Sequence, residues 1–175
     1  MIGNGGKSKL IYAQTANKVL SNSDVETSMF NDTGARGSRI IKANSPKIGD
    51  IYKVKSYGIL GVTGTPTAAL KFYLNAVEVL ASSVTMTNLG QNIYYELEAY
   101  FTIREIGVNG KIAGAGKTFF KDPATVTAGL TRALQGATDI TIDTTVDQTI
   151  DATYQWGTAS ALNNVTSRNF TIEIL

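Results

Sequence analysis

The chain contains no cysteine and no histidine. The first absence removes disulfides and thiolate nucleophiles. The second removes the usual general base near neutral pH and the commonest metal ligand. Ser-His-Asp, Cys-His and structural zinc constellations are therefore excluded. Charge of one sign is also scarce: Lys and Arg number 16 against 14 Asp and Glu, for a net charge of +2. The cations are scattered, so no basic stripe for nucleic acid is present. No apolar run approaches the roughly 20 residues of a membrane span. The opening Met1-Ile2-Gly3-Asn4-Gly5-Gly6-Lys7 lacks the apolar core of a secretion signal. Neither nucleic-acid binding nor membrane insertion is expected, and the protein is expected to be soluble as made. No segment carries a helical stripe longer than two turns.

What the chain does have is alternation. Within residues 94–106, Tyr95, Leu97, Ala99, Phe101 and Ile103 fall on one face. Tyr94, Glu96, Glu98, Tyr100, Thr102 and Arg104 fall on the other. A period of two marks a strand with one dry and one wet face, and this one is expected to be central. Residues 1–9 read as a flexible Gly- and Lys-rich arm, with Lys7 and Lys9 as candidate anchors. Residues 10–15 predict a short first strand. Residues 25–30 and 38–43 are apolar runs separated by the turn-forming Asn31-Asp32-Thr33-Gly34. In residues 50–60, Tyr52, Val54, Ser56, Gly58 and Leu60 share a face. In residues 67–74, Ala68, Leu70, Phe72 and Leu74 do the same.

Asn75-Ala76 turns the chain into a short strand at 77–81, and the polar residues 82–91 are expected to loop back to the central strand. Asn109-Gly110 signals a hairpin into a return strand at 112–120. Residues 122–138 form the longest irregular region, where Leu130, Ala133 and Leu134 at helical spacing allow one helical turn. Residues 139–143 read either as a short strand or as loop. Val146, Ile150, Ala152, Tyr154 and Trp156 then align on a long strand, and Phe170, Ile172 and Ile174 face inward on the last. The expected fold is all-β, an antiparallel β-sandwich of jelly-roll type. About eight to ten strands and little or no helix are expected, in a single domain over residues 10–175.

Several patterns invite chemistry. Gly114-Ala115-Gly116-Lys117-Thr118 resembles part of a phosphate loop, but Lys111 stands where the first glycine belongs, and a strand end and Pro123 follow where a helix is required. Asp139, Asp143, Asp147 and Asp151 recur every fourth residue. On a strand, neighbours in that series lie about 13 Å apart, too far for one calcium ion, so a solvated acidic face is the better reading and no metal is expected. Glu96 and Glu98 share a face about 7 Å apart, and paired carboxylates serve glycosidases. Arg104, Lys53, Lys55 and Lys71 offer them cross-strand partners instead. With Tyr94 and Tyr100 beside them, the residues Tyr94, Glu96, Glu98, Tyr100 and Arg104 read as a candidate subunit-interface face, since Tyr is enriched in interfaces. Three glycosylation tripeptides, at Asn31, Asn164 and Asn169, are taken as chance.

The C-terminal third resembles a known group. Asp143-Thr144-Thr145-Val146 leads into a long strand ending in Trp156-Gly157-Thr158-Ala159-Ser160, and the chain stops on Phe170-Thr171-Ile172-Glu173-Ile174-Leu175. This resembles the closing strands of small β-sandwich virion proteins of tailed bacteriophages. Tyr95-Glu96-Leu97-Glu98-Ala99 and Leu10-Ile11-Tyr12-Ala13-Gln14-Thr15 fit the same pattern. The resemblance implies a homotrimeric jelly-roll on the virion surface, partnered by other virion proteins and without cofactor or enzymatic activity. It would decorate the capsid or form a head-fibre or spike knob. The alternative is a receptor- or glycan-binding tip that uses loops 61–66, 82–91 and 122–138. A remote alternative is a carbohydrate-active enzyme using Glu96 and Glu98. No helical stalk precedes the knob, which favours docking on another virion protein. Jelly rolls leave exposed sheet edges, and packing about a three-fold axis covers them.

Overall fold

A computed structural model describes residues 8–86, 90–121, 129–137 and 139–175. It contains fourteen antiparallel strands and, among the described residues, no helix. The long strands are β6 (Ile51–Val62), β7 (Thr67–Leu74), β8 (Val77–Thr85), β9 (Gly90–Glu105), β10 (Gly110–Lys121), β11 (Gly129–Gln135), β13 (Gln148–Trp156) and β14 (Asn164–Ile174). Shorter pieces are β1 (Lys9–Ala13), β2 (Lys18–Ser21), β3 (Thr27–Ser28), β4 (Arg36–Gly37), β5 (Ile40–Ile41) and β12 (Ile140–Ile142).

The strands form one curled sheet whose path runs β3-β13-β7-β8-β11-β10-β9-β6-β14-β1-β4. Curling folds it into two facing layers. The smaller holds β13, β7 and β8; the larger holds β11, β10, β9, β6, β14 and β1. Phe72 of β7 and Phe101 of β9 are not on neighbouring strands, yet their rings lie 5.6 Å apart, which sets the layers face to face. The chain changes layer between β6 and β7, β8 and β9, β11 and β13, and β13 and β14, as in jelly-roll-type sandwiches.

Alternation decides which side chains fill the core. On β6, Tyr52, Val54, Ser56, Gly58 and Leu60 are buried; on β9, Ile93, Tyr95, Leu97, Ala99, Phe101 and Ile103 are. Ala68, Leu70, Phe72 and Leu74 answer from β7, and Ile150, Ala152, Tyr154 and Trp156 from β13. Residues 27–37 close one flank by pairing β3 with β13 and β4 with β1. Met29 and Phe30 plug that flank, with the Phe30 ring 4.2 Å from Phe170 and 5.4 Å from Tyr12. Among the described residues, the other flank closes through a single β8–β11 pair, Ala81 with Gln135.

Several sequence expectations are corrected. Leu130, Ala133 and Leu134 lie in β11, not in a helical turn, because β10 offers it a full ladder from Ala115 to Lys121. The polar segment 82–91 is not all loop: β8 runs on to Thr85 and β9 starts at Gly90, since β7 and β6 supply partners that outweigh polar composition. The runs 25–30 and 38–43 shrink to the two-residue strands β3 and β5. Val146 does not align with Ile150 inside; it is exposed, and Gln148 takes the buried position because β13 begins only there. The hairpin after β9 forms where Asn109-Gly110 signals it, but the left-handed residue is Gly107, at φ +110°. Lys7, with residues 1–6 of the arm, lies outside the described residues, whereas Lys9 opens β1.

Candidate functional site

The outer face of the larger layer is built around β9, between β6 and β10. Register fixes its rows. Lys55, Glu98 and Lys117 stand side by side, as do Tyr57, Glu96 and Phe119, and Lys53, Tyr100 and Ala115; Ile59 pairs with Tyr94. Directly paired residues of this kind have side chains close enough to interact.

Glu98 is the electrostatic centre. One carboxylate oxygen lies 3.1 Å from Lys53 Nζ and 3.5 Å from Lys55 Nζ; the other is 3.9 Å from Lys117 Nζ. Partial burial opposes its ionisation, but hydrogen bonds from Tyr100 and Lys53 and the charges of Lys53 and Lys55 prevail, so its pKa is lowered. A carboxyl held in its charged form is suited to binding cations and not to donating a proton as a general acid. Lys53 also sits 5.2 Å above the Tyr100 ring. Its ammonium is held strongly protonated by hydrogen bonding to Tyr100 and Glu98, against the opposing effect of burial.

One end of this face is aromatic. Tyr57 and Tyr94 stack at 6.4 Å with planes 26° apart. Burial and the nearby Glu96 charge raise the Tyr94 pKa. Beside them lies a recess of about 340 Å³ lined by Glu96, Glu98, Lys117, Phe119 and Thr131. Glu96 makes no ion pair among the described residues. The arrangement presents rings, the Glu96 carboxylate and a cluster of three lysines around one carboxylate.

The structure brings Tyr94, Glu96, Glu98 and Tyr100 onto this single face. Arg104 is the unpaired residue of the β9–β10 bulge, between Ile103 and Glu105, and pairs with Asp139 at 3.6 Å. Lys71 belongs to the smaller layer, where it meets Glu26 and Glu78 at 3.4 and 3.2 Å, so it is no partner for Glu96 or Glu98. The Asp series does not form a common acidic strand face. Asp143 caps Thr145, Asp147 precedes β13 and binds Lys42 and the Ala43 amide, and Asp151 receives Ser28 and Arg39. No group of metal-ligating side chains occurs among the described residues.

Two features escape the sequence. The first is a polar cleft of about 270 Å³ lined by Tyr12, Asp32, Ser38, Arg39 and Thr149 among others. Arg39 donates two hydrogen bonds to Asp32 and reaches the Ile150 carbonyl and Asp151, with its guanidinium 4.7 Å over the Phe30 ring. Every arm of the guanidinium is thus engaged by the chain itself. The second is an apolar end. Ile48, Ile106, Val108, Val146 and Leu175 are all exposed. Their segments are tied together, Gly49 to Ile103, Gly107 to Thr144, Asn44 to Thr144 and Leu175 to Ile51. The described chain also begins at this end, where Lys9 pairs with Ile174. The only signal in the sequence was an isoleucine and a valine flanking the Gly107 turn, which reads equally well as buried.

No family model and no curated protein matches the chain. Among solved structures it is similar to the CBM2 module of the evolved Dit protein of Lactobacillus casei BL23 phage J-1. Identity is 10%, coverage is 95% of this chain and 96% of that one, and the TM-score is 0.36. A score that low carries no information on this chain's partners or position.

Proposed function

We propose that the protein is a non-enzymatic surface component of a bacteriophage particle, a homotrimer whose subunits meet through the outer face of β6, β9 and β10. The observation that carries this reading is the group of aromatic rings on that face, where Tyr57 and Tyr94 stack at 6.4 Å. Burying a face is costly when it strands unpaired charge. Here Glu98 offsets one of the three positive charges of Lys53, Lys55 and Lys117, and Tyr57, Tyr94 and Tyr100, with Phe119 beside them, supply rings of the kind interfaces favour. The apolar end at Ile48, Ile106, Val108 and Val146 supports attachment there to another virion protein, with Lys9 at the same end of the sheet. The resemblance of 143–160 and 169–175 to phage virion sandwiches supports the setting.

Light scattering with size exclusion tests the assembly. The expected mass is three times 18.7 kDa. Tyr94→Glu is expected to shift it to the monomer while circular dichroism stays β-type. A stable wild-type monomer overturns the trimer. A second reading, glycan recognition, is favoured by the Glu96 recess. There an unpaired carboxylate beside Phe119 offers hydrogen-bond acceptance and an apolar wall for a sugar ring. A monomer that binds host-cell polysaccharide, and loses that binding in Glu96→Gln, would favour this second reading over the first. Cryo-microscopy of intact particles would locate the protein on the head or the tail.

A further inference from the structure

Among the described residues, three buried side-chain polar atoms lack a hydrogen-bond partner: Thr118 Oγ1, Tyr154 Oη and Trp156 Nε1. Dry, unpaired polar groups are costly, and natural proteins carry few of them. Two of the three converge. Thr118 of β10 and Tyr154 of β13 come from opposite layers, are 3% and 5% exposed, and line one interior chamber with Ser82 of β8. The Trp156 indole does not line it. The chamber holds about 10 Å³. Roughly 10–15 Å³ is the space of one water, which needs two to four polar neighbours.

The position fits. The chamber lies beside the flank where, among the described residues, β8 and β11 share only the Ala81–Gln135 pair, so the ladder does not seal it, and the exposed Arg132 of β11 stands in its wall. Tyr154, with Leu70 and Phe120, also lines a second chamber of similar size, which Tyr95 lines as well. Tyr95 has its hydroxyl bonded to Ser56, and nearby the Asn31 amide donates to Gln14 and Gln14 donates to Ser167. These are satisfied by protein groups; Tyr154 is not.

We propose that the chamber between Thr118 and Tyr154 is a hydration site holding one ordered water. The Tyr154 hydroxyl donates to it, and it donates in turn to Thr118 Oγ1, with Ser82 as third neighbour. Water there completes the polar interior at the one flank the sheet leaves underbonded. This site is independent of the trimer and of any glycan.

The test turns on a sign. With water bound, Tyr154→Phe breaks a hydrogen bond and lowers the folded-to-unfolded ratio roughly tenfold, with a lower thermal midpoint. In a dry chamber the same change removes an unpaired hydroxyl, and the midpoint rises. If Tyr154→Phe does not fold, Thr118→Val, which keeps the side-chain shape, is read the same way. A high-resolution crystal structure of the wild-type protein should show density within about 3 Å of both oxygens. A raised midpoint, or a chamber without density, overturns the proposal.

Discussion

The rings of Phe72 and Phe101 meet edge-on across the sandwich, 5.6 Å apart with planes at 61°. Both are essentially inaccessible to solvent, at 0% and 2% exposed. This contact joins the smaller layer to the strand that carries the candidate interface. Phe101→Ala is expected to cost about 3–5 kcal/mol, from lost burial plus a cavity. Chemical denaturation with an unchanged slope would measure it. A loss under about 1 kcal/mol would mean that the two layers do not pack as described.

Gly58 owes its place to crowding, not to turn geometry. It lies on the inner face of β6, where a Cβ would run into the Thr166 carbonyl and the Tyr95 ring. The carbonyl belongs to the adjoining ladder strand and cannot swing aside. Gly58→Ala is therefore expected to destabilise by about 2–3 kcal/mol, at the upper end for overpacking. Gly64, where an added Cβ would meet no atom within 4 Å beyond its chain neighbours, is the matched control for space, though its positive φ adds strain of its own.

Arg39 holds the closing flank through geometry that lysine cannot copy. Its two parallel bonds to Asp32 measure 2.9 and 2.6 Å, and a third arm meets the Ile150 carbonyl at 2.9 Å. Arg39→Lys keeps the charge and loses the fork. Loss of about 1–2 kcal/mol is expected, with faster amide exchange in residues 29–41 than elsewhere. Uniform exchange rates across the sheet would contradict a local role.

Stability should be flat across neutral pH and fail in acid. No histidine titrates near neutrality. Asp32 has its pKa lowered by Arg39, and Asp147 by Lys42. For Glu98, and for Glu26 with Thr153, Tyr73 and Lys71, stabilising partners overcome burial and lower the pKa. A lowered folded pKa gives stability that is complete above the unfolded pKa, about 4 for these groups, and is lost as pH falls through the folded one. At the other extreme, burial pushes Tyr95 up to about 12 and raises Tyr154 as well. Their contribution is complete below about pH 10 and declines above it. Thermal midpoints from pH 2 to 11 check this; a step between pH 6 and 8 would contradict it.

Glu98→Gln probes the interface chemistry directly. Three lysines would then converge on a neutral amide, costing the monomer about 1 kcal/mol. Trimer formation should weaken by more, because none of the three lysine charges would then be offset within the subunit. Concentration-dependent sedimentation of the two proteins measures the difference, and equal association constants would separate Glu98 from assembly.

The strands were legible in the sequence wherever one face is wet and the other dry. Residues 51–62, 67–74 and 94–103 alternate because each has one solvent-facing side, and hydrophobic burial enforces a period of two without help from distant residues. Where both sides touch protein, or where a strand exists only because a neighbour offers a ladder, the pattern was silent: β11 and the end of β8 carry polar, weakly alternating residues and pair because β10 and β7 lie alongside. The face bearing Tyr94, Glu96, Glu98 and Tyr100 could be read from alternation, but not its lysine partners. Lys53 and Lys55 come from β6, more than forty residues away in the chain, and register alone put Lys71 in the other layer. The chain by itself determined an all-β, cysteine- and histidine-free sandwich, because composition and periodicity are local properties. Only the tertiary structure decided the Glu98 cluster, the Arg39 clasp and the gathering of Ile48, Ile106, Val108 and Val146 at one end. Each of these depends on which loops and strands the sheet topology brings together, and no local pattern encodes that.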